Sequence, residues 1–299
     1  MIAPRAVARR AFTLVEILVA VAILGIIGAG LVRLILSQTR FTEKQMASRN
    51  ARTVSRNAMN IMLTDLRMVQ DSGGLVAASR DSVVVRVPLV FGLLCTTGSN
   101  PMMSMLPVDS AMTALAYYAG FAVRDSVTER YNYKDTGDPR PYAQLTTPLL
   151  TTPCTDVTTG AGISVITFKN RTGRYISLNS SPAGSAAPGW PVFLYQIIKY
   201  RFGPSTAFPG RVGLFRDIKT DDDAWKRDEI IAPFDTSAKI RFYVLNEDTA
   251  QSAVPAELKT VRGLQLVLAG SSPGTPRQST APAQAALVTG VFFKNRRDP

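Results

Sequence analysis

From Phe12 to Leu36 the chain is apolar at every position except Thr13, Glu16 and Arg33. As one helix this run reaches about 37 Å, enough to cross the hydrocarbon core of a bilayer with some tilt. A carboxylate inside such a run costs on the order of 3 kcal/mol on insertion scales, so Glu16 needs a partner. Arg5, Arg9 and Arg10 precede the run without any acid, which keeps that short stretch on the cytoplasmic side. A secretory signal has a shorter apolar core followed by a small-residue cleavage site. Ala20-Val21-Ala22 and Gly28-Ala29-Gly30 have that form. Cutting after Ala22 leaves a further apolar run behind it, however, and neither site accounts for Glu16.

A cut between Ala11 and Phe12 does account for it. The α-amine of Phe12 would become a cation at the membrane with no side-chain partner. Glu16 follows one helical turn later, near the positive end of the helix dipole. Within one subunit, or between two staggered side by side, carboxylate and amine neutralise each other in a low dielectric.

The stretch "RRAFTLVEILVAVAILGIIGAG", residues 9–30, resembles the class III signal of type IV pilins and type II secretion pseudopilins. Their pattern is a basic leader, a small residue, Phe-Thr-Leu-hydrophobic-Glu and a long apolar helix. The resemblance implies that a prepilin peptidase recognises the leader with Arg9 and Arg10, cuts after Ala11 and methylates the amine of Phe12. It also implies that Glu16 serves methylation and sets register in the assembled fibre. Two features depart from the pattern. Ala11 stands where the family usually has Gly, and the apolar run lacks the helix-kinking proline of many major pilins. Arg33, near the far end, is expected to snorkel toward the headgroups. Gly25 and Ala29 form a small-xxx-small pair that lets helices approach closely.

Composition narrows the chemistry. The chain has 299 residues and no histidine, so Ser-His-Asp and Cys-His catalysis and histidine metal ligation are excluded. Lys and Arg outnumber Asp and Glu by 34 to 22, a net charge of +12. The basic residues are spread without a long run, which reads most simply as a solvated basic surface. Cys95 and Cys154 are the only cysteines, too few for a four-cysteine zinc site. In an oxidising compartment they would pair as a disulfide, closing a loop worth roughly 4 kcal/mol; otherwise they are two thiols. Asp221, Asp222 and Asp223 could offer oxygen ligands to Ca²⁺, but consecutive residues converge poorly on one ion, and an exposed turn is the plainer reading. Tyr117, Tyr118, Tyr131 and Tyr133 lie near Arg124 and Arg130, a composition able to stack on bases, although such residues more often belong to a sheet. No enzyme activity, cofactor or metal is expected.

The organisation follows from periodicity. Residues 1–11 read as leader and 12–36 as a transmembrane and assembly helix. Residues 37–72 read as an amphipathic continuation of that helix. Ala47, Ala51, Val54, Ala58, Ile61, Met62, Leu66 and Val69 form its apolar stripe, and Asp71-Ser72-Gly73-Gly74 stops it. From residue 73 to 299 the pattern changes to strands bounded by Gly, Pro, Ser and Asn. These are expected at 82–90, 114–123, 162–168, 174–178, 192–202, 213–218, 239–245, 263–270 and 287–293. The fold class is therefore α+β, a long helix on a mostly antiparallel sheet. Segments 97–112 and 134–160 read as long surface loops, and 271–286 as a low-complexity loop. The strand order over residues 190–297 resembles PilW-like minor pilins and J-type pseudopilins.

The functional expectation is a minor pilin or pseudopilin. Such a subunit is anchored once in a bacterial inner membrane with its C-terminal domain in the periplasm, then moved into a pilus or pseudopilus. Its partners would be the prepilin peptidase, other pilin or pseudopilin subunits, the inner-membrane assembly platform and, before assembly, membrane lipid. Two rival readings are a competence-type subunit that captures DNA and an ordinary membrane-anchored extracytoplasmic protein.

Overall fold

The computed structural model describes residues 13–294 apart from positions 72, 98–100, 106–108, 110–116, 126, 142–153, 156–161, 164–166, 169–170, 173–174, 179–183, 185 and 221–223. It opens with one helix, α1 (Leu14–Leu66). The strands that follow are β1 (Leu75–Ala78), β2 (Ser82–Leu94), β3 (Met102–Met105), β4 (Tyr117–Arg124), β5 (Tyr131–Pro141), β6 (Cys154–Thr155), β7 (Gly162–Ile163), β8 (Thr167–Phe168) and β9 (Arg171–Thr172). After them come β10 (Tyr175–Ser177), β11 (Pro191–Pro204), β12 (Val212–Lys219), β13 (Trp225–Lys226), β14 (Glu229–Phe234), β15 (Lys239–Val244), β16 (Val261–Ser271) and β17 (Gln284–Phe292). This is the expected α+β layout.

Thirteen strands form one sheet in which every strand pairing is antiparallel. β11 is its spine, paired along one side with β2 and along the other first with β4 and then with β12. β16 carries β15 and the end of β14 on one edge and β17 on the other. Among the described residues β17 pairs with no other strand, so it forms that end of the sheet.

The second half of α1 lies on this end of the sheet. Ala51, Ser55, Ala58, Met62 and Leu66 recur at three- and four-residue steps and are buried, the stripe that a helix presents to a core. Ala58, Met62 and Leu66 pack with Val85, Ile198, Leu214, Phe242, Leu264 and Val291 in the largest apolar cluster. A second cluster gathers Val90, Leu94, Met103, Met105, Phe121 and Leu194.

Four expectations are corrected. The helix ends at Leu66, before the Gly-Gly turn, because Val69 and Asp71 bond to Lys294 beyond β17; Val69 is buried but is not part of the helix. Residues 97–112 are not all loop. Met102–Met105 form β3, whose Met103 and Met105 enter the second cluster, a tertiary demand that outweighs the local Pro and Ser signals. β5 runs to Pro141 against β4, inside a stretch read as loop from residue 134. In the region 162–168, expected as one strand, β7 pairs with β6 and β8 with β9, both away from the main sheet.

Candidate functional site

The first turn of α1 is built by a reciprocal pair. Thr13 is the N-cap and Glu16 the third helical position, the spacing of a capping box. The Glu16 N–H donates to Thr13 Oγ1 at 3.3 Å, and the Thr13 N–H donates to Glu16 Oε2 at 3.1 Å. The Thr13 hydroxyl lies 3.3 Å from the same Oε2. Helix N-terminal N–H groups lack partners of their own, and a carboxylate there also meets the positive end of the dipole. Glu16 is thus held by its own chain in the isolated subunit. Thr13 was absent from the residues expected to matter, although the Thr-x-x-Glu spacing that signals it is plain in the sequence.

Beyond this turn the helix is bare. No residue from Leu14 to Asn50 is buried, and Leu14 and Ile26 are about three-quarters exposed. The apolar half is long and apolar enough to cross a membrane. Gly25, Gly28 and Gly30 have open space where a side chain would stand, which suits close approach of a second helix. The junction to the docked half is basic: Arg33, Arg40, Lys44, Arg49, Arg52 and Arg56 are all exposed. The segment 271–283 reaches along this junction, where Arg277 lies 3.6 Å from Glu43.

Two polar clusters fix the helix and sheet that carry this segment. Asp65, in the last turn of α1, accepts from Tyr200 Oη at 2.6 Å and from Arg216 Nε at 3.0 Å. A carboxylate there opposes the helix dipole, and the β12 guanidinium compensates it. Burial pushes the Tyr200 hydroxyl well above its ordinary pKa, and Asp65 pushes it further. On the neighbouring part of the sheet Arg86 grips Asp135 through Nε at 3.1 Å and Nη2 at 2.6 Å, and Tyr195 donates to Asp135 at 2.5 Å. Burial works against ionisation of both partners. The Arg86 and Tyr195 bonds outweigh it and hold the Asp135 carboxyl below its ordinary range, while Asp135 keeps Arg86 firmly charged. Both clusters are structural ties.

Of the residues singled out from sequence, Glu16 is in place at the helix start, whereas Arg9, Arg10, Ala11 and Phe12 lie outside the described residues. Cys95 is buried just after β2. The side chain of Cys154 lies outside the described residues, as do Asp221, Asp222 and Asp223. The tyrosines do not form a stacking platform for bases. Tyr118 is buried, and Tyr131 and Tyr133 pack on Phe193. Among the described residues no three acidic or cysteine side chains converge as metal ligands.

Residues 7–32 match the family model of the prokaryotic N-terminal methylation motif. The matched segment spans Arg9 and Arg10, the Ala11-Phe12 junction, the Thr13–Glu16 box and most of the apolar run. The motif supports a precursor of the pilin and pseudopilin class, and points to a structural subunit rather than an enzyme. Such a signal implies processing by a prepilin peptidase and assembly with other pilin-type subunits. The apolar helix joined to it suggests membrane anchoring. No curated protein and no solved structure matches the chain.

Proposed function

We propose that the chain is a minor pilin or pseudopilin of a type IV pilus or a type II secretion pseudopilus, acting in assembly initiation or at the tip. Prepilin peptidase cuts between Ala11 and Phe12 and methylates the Phe12 amine. The subunit then rests in the inner membrane through residues 12–36, with the domain from residue 73 onward in the periplasm, until the assembly platform draws it into the fibre. In the lone subunit Glu16 is satisfied by Thr13. In the fibre a neighbour's Phe12 amine is a stronger partner, because opposite charges in a low dielectric attract more than a neutral donor does. In the oxidising periplasm Cys95 and Cys154 pair.

The observation that carries this reading is the coincidence of the methylation motif with a helix whose first half is bare and whose second half is buried in its own domain. Such a helix is a module for packing among other helices. The deciding experiment is mass spectrometry of the mature N-terminus from membranes. It should begin at N-methylated Phe12; an intact Met1 or a start at Ile23 would remove the proposal.

A further inference from the structure

The outer edge of β17 presents a row of backbone groups with no partner among the described residues, and register identifies them. β17 pairs with β16 from Gln284–Ser271 to Phe292–Gly263 without a break. The ladder continues at one end, where the Phe293 N–H donates to Arg262, and at the other, where the Ser272 N–H donates to Ala283. Hydrogen-bonded pairs alternate in an antiparallel ladder, so Ala285, Leu287, Thr289 and Val291 turn their amides toward β16. Ala286, Val288, Gly290 and Phe292 turn theirs outward. Lys294 continues the outward series, and there the chain closes its own edge. Its N–H donates to the Val69 carbonyl at 3.0 Å, and its carbonyl accepts from the Asp71 N–H at 3.2 Å. The four outward positions before it have no such closure among the described residues.

Open edges are ordinarily blunted by lysine, proline or a bulge. β17, "QAALVTGVF", has no charge and no proline, and its register shows no bulge. Val288 and Phe292 are each more than half exposed. The strand starts beside Arg52 and Arg56 and ends at Val69–Asp71, so it runs alongside α1 in the same direction. Ser48, Arg52 and Arg56 of α1 and Gln284 to Leu287 line a groove of about 350 Å³. Arg52 and Arg56 are exposed, and neither forms an ion pair among the described residues.

We propose that this edge is a docking site for an extended, acidic segment of another protein chain, added to the sheet as a further strand. Outward amides at every second residue call for a backbone partner, which an extended chain supplies. The uncharged strand repels nothing, and the two guanidiniums beside it select carboxylates, which they can grip in bidentate fashion. The inference goes beyond the subunit reading and does not depend on leader processing, so either can fail alone.

The test uses the full chain in detergent micelles and a fluorescent peptide of about eight residues that alternates Glu with Val, a length that covers the outward positions. A second peptide carries Lys for Glu. The Glu peptide binds and slows hydrogen exchange at residues 286, 288, 290 and 292, while 285, 287, 289 and 291 are unchanged. The Lys peptide does not bind. The double variant R52E/R56E, on an exposed helical face, weakens the Glu peptide about tenfold and admits the Lys peptide. Val288→Pro removes an outward N–H and spares the β16 ladder, and weakens binding by about tenfold. Failure of the Glu peptide to bind, equal binding of both peptides, no protection at the outward amides, or no effect of R52E/R56E would overturn the proposal. It would also fall if those amides were already protected in the free chain. Loss of that protection on dilution would make a second copy the occupant, and loss on truncation after Lys294 would make it the chain's own terminal segment.

Discussion

Gly270 lies so close to Ala51 that a Cβ at position 270 would stand 2.2 Å from the Ala51 carbonyl oxygen. No side chain fits there, and the helix backbone rests directly on β16. The Ser55 hydroxyl occupies the seam. It accepts from the Gly270 N–H at 2.9 Å and lies 3.0 Å from the Leu268 carbonyl and 2.9 Å from that of Ala285. Together these contacts fix where along the sheet the helix sits.

Gly270→Ala should therefore force helix and sheet apart. We expect a loss of about 2 kcal/mol, the usual cost of overpacking a close contact, read as a lower denaturant midpoint for the full chain in micelles. Ser55→Ala should cost about 1–2 kcal/mol by leaving the buried Gly270 N–H unmet. The two effects should be less than additive because they act at one seam.

Asp65→Ala strands Arg216 and Tyr200, which converge on its carboxylate. Both charged side chains are largely but not wholly buried, with side-chain exposures of 26% for Arg216 and 14% for Asp65. A loss of about 2 kcal/mol is expected, below the range for fully buried pairs. Chemical denaturation measures it, and faster exchange of the last turn of α1 should accompany it.

Two pH limits follow from linkage. Asp135 has a folded pKa below its ordinary value of 3.8, so its contribution is complete above that value and is lost as pH falls through the folded one. Tyr118, Tyr133, Tyr195 and Tyr200 are all raised above their ordinary 10.0, chiefly by burial. Their contribution is complete below pH 10.0 and declines as pH rises beyond it, because only the unfolded chain ionises readily there. Thermal melts across pH should show both losses. Asp135→Asn should lessen the loss on the acid side, where Glu229 and Asp235 are also held below their ordinary values, and Tyr200→Phe should lessen that on the alkaline side.

Thr13→Ala removes the cap and should cost the first turn about 1 kcal/mol, seen as faster amide exchange at Glu16. Glu16→Ala should leave cleavage intact but lower methylation of Phe12 and incorporation into fibres. Mass spectrometry and the sheared-fibre fraction report the two. Incorporation at the wild-type level would contradict the proposed pairing.

The alternation of apolar residues made the helix and most long strands readable in advance, because one buried face imposes a period on the chain. Ala51, Ala58, Met62 and Leu66 show this on the helix, as do Val83, Val85 and Val87 of β2 and Ile240 and Phe242 of β15 on the sheet. Short elements gave no period to read. β3 holds only four residues, and it became a strand because Met103 and Met105 reach a distant cluster. Pairs such as Asp65 with Arg216, or Gly270 with Ala51, join segments far apart in the chain, and nothing local marks either partner. At the candidate site the acid was conspicuous because it interrupts an apolar run. Its threonine was not, since a hydroxyl at a helix start looks ordinary.

The helix carries no proline from Leu14 to Leu66, and its bare part, Leu14 to Asn50, extends about 55 Å beyond the seam. It therefore works as a lever clamped at one end. A tilt of about ten degrees at the clamp would sweep the free tip by roughly 10 Å, about the spacing between packed helices. A neighbour that grips the tip would thus dictate the orientation of the whole domain, and torque applied at either end would reach the other.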